Sequence, residues 1–222
     1  MRINRFVAQA TGCSRRAADK YIENGEILVN NKPVKAGYDV TPLDVVTLDG
    51  KMLQALKIQT IMLNKPAGYV CSRDGQGNKT IYDLLPPELH YLKPVGRLDK
   101  DSSGLLLLSN DGSLTQTLTH PSNRKDKVYE ATLDKDLQPL HRQMISDHGI
   151  QLDDGPSKFE LERKAEGNEK TWLVRMHEGR NRQIRRTFAA LGYTVTKLHR
   201  THLGSYTLDT LPSGKWQSQN YQ

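Results

Sequence analysis

No stretch of this sequence approaches the ~20 consecutive apolar residues needed to span a bilayer. The best run lies within Gly104–Ser109. A membrane protein is excluded on that ground. Cysteine is scarce as well. Cys13 and Cys71 are the only two, far apart and outside any CxxC spacing, which excludes a disulfide scaffold and a cysteine-rich zinc site. No secretory pattern opens the chain, because Met1-Arg-Ile-Asn-Arg leads into a mixed, charged segment. Internal repeats and low-complexity tracts are lacking too. These absences predict a soluble protein of a reducing compartment, the cytoplasm. What is present is globular composition, with 36% hydrophobic and 26% charged residues among 222. Lys+Arg 32 against Asp+Glu 25 leaves a formal charge of +7, which suits a polyanionic partner.

The first fifty-odd residues read as their own unit. Ile3, Phe6, Val7 and Ala10 are spaced for one helix face, and Gly12 ends that helix. Ser14 can cap a second helix over 14–24, with Ala17, Ala18, Tyr21 and Ile22 inward and Gly25 as its stop. Ile27–Val29, a turn at Asn30–Lys32 and Pro33-Val34 follow as short strands, and Val45–Leu48 adds another. Residues 51–60 read as a linker. Beyond it, strands are expected at Ile61–Lys65, from Gly68 to Val70, and at Leu105–Ser109, Val128–Leu133, Thr171–Met176, Val195–Leu198 and Tyr206–Leu208. Ser113–Leu118 and Gln183–Leu191 read as helices. The expected organisation is a domain over 1–50, a linker over 51–60, and an α+β domain over 61–222.

Two basic clusters stand out. Arg2, Arg5, Arg15, Arg16 and Lys20 face the single acid Asp19 in the first twenty residues. Arg16 and Lys20, one helical turn apart, form a cationic edge with Arg15. Opposite a phosphate backbone such an edge supplies sequence-independent affinity, whereas elsewhere it is a solvated helix face. Arg175, Arg180, Arg182, Arg185 and Arg186, then Lys197 and Arg200, form the second cluster. The N-terminal unit resembles the S4-type RNA-binding domain over residues 2–48, with Ser14-Arg15-Arg16 opening the second helix. That resemblance implies RNA binding without naming a reaction.

The chemistry-bearing segment is Gly96-Arg97-Leu98-Asp99-Lys100-Asp101-Ser102-Ser103-Gly104, which runs into Leu105–Leu108. It sets an acid between two cations in a loop before a buried strand. Adjacent cations favour an ionised carboxylate, as a nucleophile requires. An Asx turn before a strand would use the same residues, and on spacing alone Asp101 is as good a candidate. Three further segments bear on this. Asn64-Lys65-Pro66-Ala67-Gly68 precedes the loop, Lys127-Val128-Tyr129 follows it, and Glu178-Gly179-Arg180-Asn181-Arg182-Gln183-Ile184-Arg185-Arg186 comes later.

Together, in this order, they resemble the pseudouridine synthases, and within them the RsuA-like ribosomal RNA group, over about Arg2 to Trp216. The resemblance implies an α+β fold: a small S4-type helix pair with strands, then a mixed, largely antiparallel sheet. It implies isomerisation of uridine to pseudouridine in a structured rRNA stem-loop, with no cofactor and no metal. Asp99 takes the place of the family's catalytic aspartate, Tyr129 that of the aromatic residue stacked on the target uracil, and Arg185 that of the arginine pairing with the catalytic carboxylate. Leu198 falls on the apolar pocket residue. Arg97 and Arg180 are candidate phosphate clamps around a flipped nucleotide, or structural donors holding the loop. Asn64 and Lys65 are expected to support the Asp loop. A monomer is expected. Gly179–Arg186 leans toward the large-subunit 23S members over the small-subunit 16S ones. The other function class consistent with an S4 unit is an inactive ribosome-associated binding protein; the presence of Asp99, Tyr129 and Arg185 together favours the enzyme. His199, His202 and His177 do not make a convincing zinc set. Trp216 reads as a terminal packing anchor.

Overall fold

The computed structural model describes residues 1–219 and divides into two compact units, Met1–Gln59 and a larger one from Thr60 onward. In the first unit, α1 (Ile3–Thr11) ends at Gly12, whose left-handed φ of 75° lets its N–H return to the Ala8 carbonyl. Ser14 accepts from the Ala17 amide at 3.1 Å and starts α2 (Arg15–Glu23). Strands β1 (Ile27–Val29), β2 (Lys32–Pro33), β3 (Val46–Leu48) and β4 (Lys51–Met52) form one antiparallel sheet in the order β2-β1-β3-β4. The segment expected as a linker therefore begins with a strand. Ile3, Val7, Ala18, Ile22, Ile27, Val29 and Val46 fill a separate small core.

The second unit is built on one mixed sheet. Its elements in chain order are β5 (Thr60–Lys65), β6 (Lys93–Val95), β7 (Ser103–Ser109), α3 (Gly112–Thr119), β8 (Lys127–Leu133), α4 (Pro139–Gln143), β9 (Ile150–Leu152), β10 (Gly155–Ser157), β11 (Glu160–Arg163), β12 (Thr171–Met176), α5 (Gln183–Ala190), β13 (Val195–Leu203), β14 (Tyr206–Thr207) and β15 (Trp216–Gln219). The strand path is β11-β12-β8-β13-β7-β5-β15, with β14 on β13 and β6 on β7; β9 and β10 form a separate hairpin. The one parallel pairing among the described strands is β13 with β7, His199 opposite Ser103 and Arg200 opposite Gly104.

The run Leu105–Leu108 is continuous because both faces of β7 are covered. Leu105 and Leu107 pack with Met62, Val95 and Leu203 on one side. Leu106 and Leu108 pack with Ile61, Leu63, Ile81 and Leu92 on the other. The expected strand ending at Leu198 runs on to Leu203, since β8 pairs with it along its length. Gly68–Val70 is not a strand; Val70 makes only an isolated bridge to Thr80. Trp216 opposes Leu63 and packs against the larger core.

Candidate active site

The Asp loop is fastened from beneath by a lysine. Lys65, at the end of β5, is fully buried, and its ammonium donates to the carbonyls of Ser102 at 2.7 Å, Asp99 at 3.0 Å and Pro66 at 3.1 Å. Burial pushes its pKa down, while Cys71, Asp101 and Asp99 oppose the shift. The Gly68 amide adds a bond to the Lys100 carbonyl at 2.6 Å, and the Ser102 amide closes the turn onto the Asp99 carbonyl at 3.1 Å. Lys65 thus supports the loop as expected from sequence. Asn64 does not: its amide donates to the Leu211 carbonyl at 2.8 Å and fastens the C-terminal segment instead.

Two acids leave this loop with different partners. Asp101 accepts from both terminal nitrogens of Arg182 at 2.9 Å, and Arg185 Nε lies 3.3 Å from it. Hydrogen bonds from Arg182 hold the Asp101 carboxyl below its ordinary value. Asp99 is about one-third exposed and has a single cation within ion-pair reach among the described residues, Arg182 at 3.8 Å. Arg185 forms its ion pair with Asp101 and not with Asp99 in this structure. Its guanidinium donates to the Val195 carbonyl at 2.6 Å and the Asp101 carbonyl at 3.0 Å, so it braces the loop through Asp101. Arg182 is the residue that sequence reasoning missed as the neighbour of Asp99. It sits at the N-terminal boundary of α5 with φ +48°, a conformation that a non-glycine residue rarely takes.

The sheet brings the loop to the aromatic candidate. Gly104 of β7 lies opposite Arg200 of β13, which lies opposite Tyr129 of β8. Position 104 accepts nothing larger than hydrogen: a Cβ there would lie 2.2 Å from the Arg200 carbonyl oxygen, at a φ of +107°. Tyr129 and Leu198 are both buried in the same core cluster, and Ser103 bonds His199 Nδ1 at 2.9 Å. Arg200 is buried too. Its Nε donates to the Leu105 carbonyl at 2.9 Å, and its Cζ lies 6.0 Å from the Tyr129 ring centroid.

The second basic cluster is largely internal. Arg180 donates to the Asp154, Gly155 and Pro156 carbonyls and to the Asp154 carboxylate, so it holds the β9–β10 hairpin. Arg186 donates to both oxygens of Asp154. Arg97 is different: it is exposed, with no hydrogen bond or ion pair among the described residues. In the N-terminal unit Arg15, Arg16 and Lys20 are exposed, Arg5 is half-buried, and Arg2 is tied to Asp39 and the Gly37 carbonyl. No cluster of three metal-binding side chains occurs among the described residues, and no helix among them is long and apolar enough to cross a membrane.

Known proteins match both units. Residues 59–190 fit the RNA pseudouridylate synthase family and residues 1–46 the S4 domain. An uncharacterised RNA pseudouridine synthase of Aquifex aeolicus is 37% identical over 99% of this chain and 90% of its own length. The dual-specificity RNA pseudouridine synthase RluF of Escherichia coli is 34% identical over 98% of this chain and 74% of its own. The ribosomal small subunit pseudouridine synthase A of Vibrio parahaemolyticus is 36% identical over 98% and 95%. A crystal structure of a pseudouridylate synthase superposes with a TM-score of 0.71 at 30% identity, covering 99% of this chain and 96% of that one. The chain belongs to the RNA pseudouridylate synthase family and is an RNA pseudouridine synthase of the RsuA and RluF type with an S4 domain at its N-terminus.

Proposed function

We propose that the protein isomerises one uridine in a structured stem-loop of ribosomal RNA, acting as a cytoplasmic monomer, with Asp99 as its catalytic aspartate. In this reaction the N1–C1′ bond breaks and a C5–C1′ bond forms; the C5 proton is lost and N1 gains one. Atoms balance without an oxidant or a hydrolytic water, so the carboxylate is asked only to promote cleavage at the sugar. The observation carrying this reading is the contrast within one loop. Both oxygens of Asp101 are taken by Arg182, while the Asp99 carboxylate stays partly open beside that same guanidinium. Arg182 then orients Asp99 from 3.8 Å away, and Arg185 acts one step back as a positioning residue.

Tyr129 supplies a flat face for the detached uracil while it turns, and Leu198 supplies an apolar wall against water. The target base must leave its stack to enter such a site, and exposed Arg97 is assigned to a phosphate around it. The division of labour assigns RNA affinity to residues 1–50 through Arg15, Arg16 and Lys20, and chemistry to the larger unit. Ribosomal RNA as the substrate is supported by relatives named for ribosomal work. The Gly179–Arg186 stretch leans toward the large subunit, although two relatives are named for the small subunit. Mapping pseudouridines in the 16S and 23S rRNA of cells with and without the gene tests this. Loss of one site on deletion is the expected result; an unchanged map sends the search to other RNAs.

A further inference from the structure

Arg200 is a buried charge that the fold leaves without a counterion. It is 3% exposed, and no acid lies within ion-pair reach of it among the described residues. Its Nη2 is enclosed without a hydrogen-bond partner among them. Lys65, the other cation buried this deeply, is satisfied by three carbonyls. Half-buried Lys127 donates to the Lys125 and His177 carbonyls at 3.1 and 2.8 Å. Burial pushes both ammonium groups down, and the charge of Arg200 adds to each shift. An uncompensated charge is costly to bury, and a buried polar group without a partner calls for a reason.

The sheet fixes where this charge stands. Arg200 and Tyr129 are directly paired across β13 and β8, so their side chains share one face. Leu198, two residues before Arg200, stands on that face as well. The guanidinium lies over the Tyr129 ring, with Cζ 6.0 Å from the centroid. Its Nε donates at 2.9 Å to the Leu105 carbonyl of β7, the strand that follows the Asp loop. One side chain therefore ties the ring on β8 to the strand that carries the loop of Asp99.

In the cleavage step the electron pair of the N1–C1′ bond departs with the base, so the uracil carries a negative charge until C5 bonds to C1′. We propose that Arg200 is a positioning residue for that step: it backs the Tyr129 ring on the side away from the uracil, and its charge, acting through the ring, stabilises the anionic base. A charge set in place before the reaction, and shielded from water, favours the state in which the opposite charge develops. The detached base then supplies the missing counterion for as long as it is an anion. A carboxylate paired with Arg200 would cancel that field. The proposal rests on the reading of Asp99 and Tyr129 as the reacting site.

Its test is R200Q and R200K in single-turnover assays on in-vitro-transcribed 16S and 23S rRNA, each alone and combined with Y129L, with D99N beside them. R200Q removes the charge. It should lower the rate at saturating RNA by about tenfold or more, with the RNA concentration for half-maximal rate within about twofold of wild type. R200K keeps the charge and should recover most of that loss, falling by no more than about threefold. In the Y129L background R200Q should cost less than about threefold, because its effect passes through the ring. R200K as slow as R200Q, a loss confined to half-saturation, or the same tenfold cost without the ring overturns the proposal. If R200Q does not fold, R200K decides alone, and a loss of about tenfold or more in its rate overturns the proposal. Turnover by D99N overturns the reading of the reacting site instead, whatever the Arg200 variants do.

Discussion

Arg182 donates two hydrogen bonds of 2.9 Å to Asp101 while its Nη1 stays 3.8 Å from Asp99. One guanidinium thus serves two acids unequally. It binds the outer one as a brace and lends its charge to the inner one without covering it. A bidentate pair commits both oxygens of Asp101 to one guanidinium, so on the proposed reading Asp101 is the structural acid and Asp99 the reactive one.

Asp99→Asn removes the charge and keeps the shape. Single-turnover pseudouridine formation should fall by at least about a hundredfold, with RNA affinity nearly unchanged. Asp101→Asn should slow the reaction far less, since it loosens the brace only. The reverse ranking would move the reactive role to Asp101.

The brace has a pH signature. Hydrogen bonds from Arg182 depress the Asp101 pKa in the folded state. Its contribution is therefore fully present above the unfolded carboxylate value of about 3.9, and is lost as pH falls through the lower folded value. Because the carboxylate is nearly half exposed, that contribution is about 0.5–1 kcal/mol. Denaturant unfolding of wild type and Asp101→Asn should differ by this amount at neutral pH and converge in acid, below the folded value. A difference that persists there would show that the amide substitution acts through packing.

At Tyr129 the ring and the hydroxyl are separable. Tyr129→Phe should retain turnover if stacking is its whole contribution; a fall in rate with binding intact would assign the hydroxyl a proton. Tyr129→Leu fills the buried position but removes the aromatic face, and should lose roughly 1–3 kcal/mol of base stacking. Full activity in Tyr129→Leu rules out both roles.

For the N-terminal unit, changing Arg15, Arg16 and Lys20 together to Ala should weaken RNA binding and flatten its salt dependence, by roughly 0.7–0.9 for each phosphate the unit no longer neutralises. The single-turnover rate at saturating RNA should survive, because only uniform binding has been removed. A collapsed rate at saturation would mean that the unit positions the target uridine.

Patterns with a short period were legible in the sequence. The helix pair with its Ser14 cap and Gly12 stop, and the run Leu105–Leu108, announce themselves within a dozen residues because burial repeats locally. The Asp loop was legible through its motif. Its wiring was not. Arg182 and Asp101 are 81 residues apart, and nothing periodic records an ion pair across that distance. Counting arginines likewise could not tell Arg15, exposed on a helix face, from Arg180, which is enclosed by a hairpin that the sequence did not suggest. Arg200 reads as one more member of a basic cluster because a buried arginine looks the same in composition as an exposed one.

Where β7 meets β13, main chain rests on main chain, with Gly104 offering no side chain to separate them. The span from the Asp99 loop to Tyr129 is consequently gauged by the thickness of two backbones, which mutation hardly alters. The reach between the acid and the ring stays constant for as long as one residue remains nothing but a hydrogen. Any side chain at that position would force the two strands apart, although it performs no chemistry itself.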